Sequence, residues 1–318
     1  MAGMMKTDPY SLRHLHQRVA HDADQTEFAA MLKKGAVVDA GIYDDRVAGA
    51  MDDFSLMDPT VRADWHQHDL ELDGAAGRIH EEIERRIRIM GEAYPFVLKE
   101  GQVEYRASKN RFYEFCVAIC NAPTITQNPY VELPRTFERL SAQIVREYLG
   151  CHTEVLHTGS PRDEAVGKSF KQAMVRLHEK SGEWHWGPES GLPSEPPGGD
   201  GGVDFVVWKD SLDKRRIGQL FVLGQCACGN DWATKFHDLN LKKLAKWFHP
   251  PYLVEPIRAF VTPLHLVDAN LTEASREAGL VFDRARLTLI ATATNGPESV
   301  ATWLPKLDEL VGLVKDAA

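Results

Sequence analysis

Two carboxylates and one carboxamide stand where the sequence could build a metal site. The segment DGGVD ends in Asp204, Asp200 precedes it in the same glycine-rich stretch, and a second apolar segment ends near Gln225. Mg²⁺ and Mn²⁺ prefer oxygen ligands, commonly one or two carboxylates completed by water and substrate phosphate. The glycines before Asp204 remove side-chain bulk and let a phosphate backbone approach. These residue types point to metal-assisted hydrolysis of a phosphodiester bond.

The two segments that carry Asp204 and Gln225 are predicted to be neighbouring strands. VDFVVWK (203–209) and GQLFVLGQCA (218–227) are nearly continuous in apolar or β-branched residues, which is typical of strands buried on both faces. Adjacent strands lie about 5 Å apart, so residues at their adjoining ends can bind one ion. We therefore expect the side chains of Asp204 and Gln225 to converge in one cleft.

A predicted helix upstream completes an order that is typical of one enzyme family. TFERLSAQIVREYLG (136–150) contains a Phe-Glu pair, apolar residues and a final Leu-Gly, and it precedes DGGVD and the strand that ends in Gln-Cys. This order resembles the Mrr-type branch of the PD-(D/E)xK restriction endonuclease superfamily, over about residues 133–235. That branch has an Asp after paired glycines and a Gln-x-Lys in place of the Glu-x-Lys of other members.

The resemblance implies a fold, an activity and a set of residue roles. The fold would be α/β, a restriction-endonuclease-like mixed sheet flanked by helices, behind a mainly helical N-terminal domain. The activity would be metal-dependent endonuclease cleavage, with DNA as the expected substrate. Asp204 would bind Mg²⁺ or Mn²⁺ directly, Gln225 would lend its side-chain carbonyl, and Glu138 would lie near the metal. Prokaryotic members of such families often serve restriction or antiviral defence.

The chain departs from the family pattern at the catalytic lysine. Two residues after Gln225, the position of that lysine is occupied by Ala227. Lys235 follows on a predicted short helix and is the candidate for a lysine that has migrated, because one helical turn rises about 5.4 Å and the lysine stem extends further. The alternative is a nuclease fold that has lost catalysis and binds nucleic acid or a partner protein.

The cysteines support a third interpretation, based on zinc. Cys226, Cys228 and His237 form a C-x-C-x8-H pattern whose side chains are chemically able to bind zinc. A closed zinc site needs a fourth ligand, and strand alternation puts Cys226 on the face opposite the expected glutamine ligand. Cys116 and Cys120 lie one helical turn apart, and packing thiols are the simpler interpretation for both sets. A zinc-stabilised interaction module therefore stays a minor alternative.

Hydropathy patterns divide the chain into two predicted domains. Residues 1–128 form a mainly helical, acidic domain of unknown role, and residues 129–318 form the nuclease domain, with an insertion at about 158–200. The first domain is predicted to contain an amphipathic helix at 75–94, a hairpin at 96–106 and a buried helix at 110–122.

The second domain is predicted to alternate helices and strands. Beyond the segments already named, a strand is expected at 152–157 and the C-terminal segment is expected to be an amphipathic helix. Further helices are predicted at 163–180, about 230–247 and 270–278, and further strands lie within RAFVTPLH (258–265) and RLTLIAT (286–292).

Charge is distributed unevenly along the chain, whose formal net charge is −9. Residues 1–100 carry 12 Lys and Arg against 19 Asp and Glu, whereas residues 208–248 carry 8 Lys and Arg against 4 Asp. The local field at a groove matters more for phosphate binding than the total charge, so the second segment could face nucleic acid. The residues expected to contact nucleic acid are Lys209, Arg215, Arg216, Lys242 and Lys243.

Composition limits the setting in which the protein works. Hydrophobic residues make up 43% and charged residues 26% of the chain, which is typical of globular proteins. No uncharged apolar run approaches the roughly 20 residues that cross a bilayer, and the N-terminal segment lacks the apolar core of a signal peptide. Five cysteines at unrelated spacings indicate reduced thiols. We expect a cytoplasmic protein without membrane contact, acting as a homodimer or beside an ATPase or sensor protein.

Overall fold

The structure is a computed structural model that describes residues 9–32, 37–38, 62–196, 199–229, 231–294 and 300–318. The chain forms two compact units, Met1–Lys109 and Asn110–Ala318. The predicted boundary after residue 128 lies inside the second unit. None of the helices in these ranges is both long and apolar enough to span a bilayer.

The described residues of the first unit form two long helices and a small antiparallel sheet. Helix α1 spans Pro9–Leu32 and α2 spans Arg62–Met90, and β1 (Val37–Val38), β2 (Phe96–Lys99) and β3 (Gln102–Tyr105) pair in the order β1-β3-β2. The predicted hairpin is confirmed, and Glu100 and Gly101 form its tight turn with φ values of 52° and 74°. The predicted helix at 75–94 corresponds to the end of α2, and a 3-10 turn at Gly91–Ala93 follows it.

A buried ion network joins the two helices of the first unit. The Arg86 side chain is 0% exposed, and its Nη1 lies 2.7 Å from both Asp24 Oδ1 and Glu27 Oε1. Its Nε lies 3.0 Å from Glu82 Oε1, and its Nη2 donates to the Ala20 carbonyl at 2.8 Å. Because one guanidinium carries five donors in a rigid fork, it can neutralise several carboxylates that burial would otherwise penalise.

Replacing Arg86 with methionine should strongly destabilise the first unit. Arg86→Met leaves buried carboxylates without their cation, a loss worth about 3–5 kcal/mol of unfolding free energy. Arg88→Met, on the same helix, is the matched control, because the Arg88 side chain is 68% exposed and should cost less than about 1 kcal/mol. Urea denaturation of the full chain measures both variants, and equal losses would contradict the role given to the network.

The second unit is built on a mixed five-stranded sheet. Its strands are β4 (Thr153–His157), β5 (Phe205–Lys209), β6 (Leu220–Cys226), β7 (Ile257–Val261) and β8 (Leu280–Phe282), in that spatial order. Pairing is antiparallel between β4, β5 and β6, and parallel between β6, β7 and β8. Its helices are α3 (Phe112–Asn121), α4 (Glu132–Leu149), α5 (Phe170–Ser181), α6 (Leu241–Leu244), α7 (Asp268–Ala278), α8 (Arg284–Ala293) and α9 (Leu304–Lys315).

Helices cover both faces of this sheet, as the sequence predicted. Helix α4 packs against β4, β5 and β6, and the face that it covers is called the α4 face. The opposite face, called the α5 face, carries a core of α5 side chains and strand residues that include Val206, Trp208 and Leu223. Helix α3 packs against α8 and α9, which places the segment after Asn110 in the second unit.

Three segments depart from the sequence-based expectations. RLTLIAT is helix α8 and not a strand, because the Asp283 side chain accepts the Arg286 N–H and caps a helix there. The helix predicted at 163–180 begins at Phe170, after a capping box formed by Ser169 and Gln172. The helix predicted at 230–247 is broken into a 3-10 helix at Trp232–His237, α6 and a second 3-10 turn.

Candidate functional site

Glu138 and Asp204 converge beside Gly159, where the chain leaves β4. A Cβ atom added to Gly159 would lie 2.8 Å from Glu138 Oε2 and 3.3 Å from Asp204 Oδ1. The same point lies 3.3 Å from His157 Nε2. We call the convergence of these three side chains on Gly159 the Gly159 cradle. Even a methyl group at residue 159 would press against Glu138, so glycine is what allows the three side chains to lie this close to the backbone.

Backbone hydrogen bonds hold Asp204 between the two neighbouring strands. Its carbonyl accepts the N–H groups of Thr158 and Gly159, both at 2.7 Å, and its own N–H donates to Gly224 at 2.9 Å. Its Oδ2 accepts the Cys226 N–H at 2.7 Å. One carboxylate oxygen is therefore fixed by the protein, while Oδ1 is directed towards the cradle.

His157 is a site residue that sequence reasoning missed. It was predicted only as the last residue of a strand, yet its Nε2 lies 3.4 Å from Glu138 Oε2 and its side chain is 9% exposed. In the register of the sheet it pairs with Phe205, so it projects onto the α4 face, towards the helix that carries Glu138. The signal that could have found it was a polar residue at an inward position of a strand that leads into a glycine.

The electrostatics of the cradle disfavour two free carboxylates. Burial raises the pKa of the Asp204 carboxyl well above its ordinary value, and repulsion from Glu138 and Asp200 adds to the rise. The Cys226 N–H and the Lys235 ammonium oppose it. Burial also raises the pKa of Asp200, where the charge of Arg162 acts in the opposite direction. A proton or a cation at the cradle would relieve this repulsion.

The structure does not bring Gln225 to the cradle. A Cβ on Gly224 would overlap the Phe205 ring, so Gly224 and Phe205 share the α4 face, and strand alternation turns the Gln225 side chain to the α5 face with Leu223. Asp204 does not follow this alternation. Its N–H donates to the carbonyl of Gly224, the same residue that pairs with Phe205, so Asp204 and Phe205 both lie opposite Gly224. This arrangement is that of a β-bulge, and it turns the Asp204 carboxylate to the α4 face.

The position of the expected lysine is apolar. Ala227 is 0% exposed and packs with Phe236 and Phe260 on the α5 face. Lys235 lies on the 3-10 helix Trp232–His237, close enough for its charge to lower the pKa of Asp204. Ala227 has no side-chain group that could act on a phosphate, and the role of Lys235 as a migrated lysine stays a prediction.

The predicted nucleic-acid surface divides into two separate regions. Lys209 donates to the Leu149 carbonyl at 2.9 Å and thus caps α4, and Arg215 and Arg216 lie in the β5–β6 turn. That turn is at the end of β5 opposite Asp204, about 16 Å away along five residues of strand. Of the five predicted residues, only Lys242 and Lys243 lie beside the glycine-rich segment 199–203, called the glycine loop. Helix α6 packs against this loop, since a Cβ on Gly201 would lie 3.0 Å from Leu244 Cδ1.

The cysteine and histidine pattern does not form a zinc site. Burial raises the pKa of the Cys226 and Cys228 thiols, with the nearby acids adding to the rise, and such thiols are poor metal ligands. The His237 side chain is 71% exposed and pairs with Glu277 at 3.6 Å. Across the described residues, no group of three or more His, Cys, Asp or Glu side chains is arranged so that it could hold a metal ion.

No family model matches the chain, and neither a curated protein nor a solved structure shows significant similarity to it. The functional conclusion therefore depends on the side chains of the second unit. Among these, the Gly159 cradle is where several groups able to bind a cation or move a proton converge.

Asp204→Asn should stabilise the protein at neutral and alkaline pH. The pKa of Asp204 is higher in the native state than in the unfolded state. The native state therefore loses stability as pH rises from the unfolded pKa to the native pKa, and above the native pKa it carries the whole cost of a buried charged carboxylate. Asparagine retains an acceptor for the Cys226 N–H and removes the charge. We expect a gain on the order of 1 kcal/mol at pH 8, or about 2–4 °C in Tm, that shrinks towards pH 4.

Thermal denaturation with a chelator present measures this difference. Asp231→Asn, an exposed carboxylate of the same unit, is the control and should change Tm little at any pH. A variant at Asp204 that is less stable than the wild type at pH 8 would show that its charge is compensated in the native state.

Proposed function

We propose that the chain is a metal-dependent nuclease that hydrolyses phosphodiester bonds of DNA, with a divalent cation held by Glu138 and Asp204. The observation that carries the proposal is the convergence of these two partly buried carboxylates on one point beside Gly159. Burial and the neighbouring charge of Glu138 raise the pKa of the Asp204 carboxyl, which disfavours its charged form unless a cation neutralises it. Mg²⁺ or Mn²⁺ would remove that penalty, polarise a phosphate oxygen and activate a water.

The arrangement of elements supports the family assignment as a proposal. The acids come from a helix that packs on the sheet and from the start of a central strand, in the order expected for a PD-(D/E)xK nuclease. Gln225 departs from that pattern, because its side chain faces away from the cradle. We therefore assign the metal to Glu138 and Asp204 and leave Gln225 in a packing role. Restriction or antiviral defence is the setting that the resemblance implies.

Lys235 would provide the positive charge near the scissile phosphate. Its ammonium already acts on Asp204, so it lies within electrostatic reach of the cradle. A positioned cation contributes most where negative charge develops in the transition state, in surroundings that exclude water. Lys235 can thus replace the strand lysine whose position is taken by Ala227.

The apolar surroundings of Ala227 favour one alternative. A nuclease fold without the strand lysine could bind DNA or a partner protein and cleave nothing. The active nuclease and the inactive binding protein are both expected to bind DNA. Only the active nuclease is expected to cleave it in the presence of a metal.

Cleavage by purified protein with Mg²⁺ or Mn²⁺ separates these functions. Asp204→Ala should abolish cleavage through loss of the metal, and Lys235→Ala should lower it by about 10²–10³-fold while DNA binding is nearly unchanged. Lys171→Ala, an exposed lysine on α5, is the matched control and should cleave like the wild type. If Lys235→Ala cleaves normally, the migrated-lysine role is wrong. If the wild type cleaves neither DNA nor RNA with several metals and partners supplied, the binding protein is the better proposal.

Lys242 and Lys243 would bind the DNA backbone next to the cradle. Both are exposed on α6, and a cavity of about 370 Å³ beside them is lined by Lys242, Lys246 and His249. Charges that neutralise phosphates make affinity depend on salt. This surface and the cradle flank the same glycine loop, because Gly201 contacts α6 and Asp204 ends the loop.

Charge reversal tests which basic pair faces DNA. The double variant Lys242→Glu and Lys243→Glu should weaken duplex binding at least about tenfold and lower the slope of log affinity against log salt by about 2. The matched control is Arg215→Glu with Arg216→Glu, which changes the same charge in the distant β5–β6 turn and should leave affinity unchanged. Fluorescence anisotropy at several ionic strengths measures both. Equal effects, or salt-insensitive binding, would contradict a DNA surface at α6.

A further inference from the structure

A cavity of about 370 Å³ beside α6 is lined by basic side chains and one acid. We call it the α6 cavity, and its lining includes Lys242, Lys246, His249 and Glu189. All four residues are exposed, and within the described part of the chain none of their side chains has a hydrogen bond or an ion pair. With His249 neutral, two lysines and one glutamate give the lining a net charge of +1.

The lysines beside the cavity repel one another. Lys242 and Lys246 are four residues apart, about one helical turn, and Lys243 lies between them in the chain. Like charges at this spacing are destabilising. Elsewhere in the second unit an exposed lysine has an acidic partner on its own helix, as Lys306 has Glu309 at 2.9 Å. An anion bound in the α6 cavity would offset the repulsion that no carboxylate relieves.

Backbone hydrogen bonds fix the two walls of the cavity against each other. The Gly187 N–H donates to the Trp247 carbonyl at 3.0 Å, and the Glu189 N–H donates to the Lys246 carbonyl at 2.9 Å. Segment 187–189 is thus held against the turn that follows α6. Sites for small ligands are usually preformed in this way and have volumes of about 300–1,000 Å³, a range that includes the α6 cavity.

The lining combines positive charge with apolar surface, which Pro188, Phe248 and Pro251 contribute. A terminal phosphate carries about −1.5 to −2 charge at pH 7 and has three acceptor oxygens, whereas each phosphodiester carries one negative charge. Two ammonium groups and an imidazole can donate to all three terminal oxygens. The apolar part of the lining suits the ring of a base. The matching ligand is therefore a nucleotide with a terminal phosphate.

We propose that the α6 cavity binds the phosphomonoester group of a nucleotide, with Lys242, Lys246 and His249 as donors to the phosphate. The inference goes beyond the proposed nuclease function, because the cavity shares no residue with the Gly159 cradle. The phosphomonoester has two sources, a free nucleotide and the phosphorylated end of a nucleic-acid strand. Both present the same chemical group to the cavity.

Calorimetry of the full chain with deoxyadenosine 5′-monophosphate tests the cavity. In chelator and about 0.15 M salt, which screens exposed charges, the nucleotide should bind at least about tenfold more tightly than deoxyadenosine. Lys246→Ala should weaken nucleotide binding about tenfold. The matched control is Lys243→Ala, since Lys243 is exposed on the same helix and does not line the cavity, so the nucleotide affinity should stay within about twofold of the wild type. Equal weakening by the two variants, or no preference for nucleotide over nucleoside, would overturn the inference.

Single strands that differ only at their ends identify the source of the phosphate. If strand ends are the source, a strand with a 5′- or 3′-phosphate should bind about tenfold more tightly than the same strand with hydroxyl ends, and Lys246→Ala should remove the difference. Equal affinities of these strands, beside tight binding of the free nucleotide, assign the cavity to free nucleotides. If the wild type binds the nucleotide and cleaves no nucleic acid, the inference stands and the nuclease proposal fails. If it cleaves DNA and does not distinguish nucleotide from nucleoside, the reverse holds.

Discussion

The burial of the Asp204 carboxyl beside Glu138 is the constraint on which the candidate site of the second unit depends. Two carboxylates that face one point in partly buried surroundings raise the free energy of the native state unless a proton or cation lies between them. The fold nevertheless holds both in place: α4 packs on the sheet, and the ends of β4 and β6 bind the Asp204 backbone.

The first unit shows how the same protein neutralises buried acids when no ligand is needed. There, Arg86 is 0% exposed and binds the carboxylates of Asp24, Glu27 and Glu82. Among the described residues, no arginine binds the carboxylates of the cradle: Asp204 accepts the Cys226 N–H, Glu138 pairs with His157 at 3.4 Å, and the charge of Lys235 influences the pKa of Asp204 less than burial, Glu138 or the Cys226 N–H does.

The two faces of the sheet differ in character: one holds the polar residues of the candidate site, and the other is an apolar core. The α4 face holds the acids and His157, while the α5 face is an apolar core into which Ala227 packs and towards which Gln225 turns. The glycine loop before Asp204 connects the cradle to the lysines of α6. The glycines of that loop permit positive φ values and close packing within the protein: a Cβ on Gly201 would lie 3.0 Å from Leu244 Cδ1, and one on Gly202 would lie 2.8 Å from the Asp238 backbone.

Local patterns in the sequence were sufficient for most elements, whereas the convergence of Glu138 with Asp204 was implied only by the family resemblance. The runs that became β5 and β6, the helix closed by Gly150 and the glycines before Asp204 depend on hydropathy, capping and turn chemistry within about ten residues, so they could be predicted without a structure. RLTLIAT was predicted wrongly, because its β-like composition was outweighed by the single Asp283 cap.

The composition of the cradle depends on contacts between segments that are distant in the chain. A bulge opposite Gly224 turns Asp204 to the α4 face and leaves Gln225 on the other, and no pattern within β5 or β6 reveals that hydrogen bond. His157 becomes a site residue only because β4 pairs with β5 beneath α4. The basic residues of segment 208–248 are also divided by the fold. Arg215 and Arg216 lie in the turn of the antiparallel β5–β6 hairpin, at the end of the sheet far from Asp204, whereas Lys242 and Lys243 lie on α6.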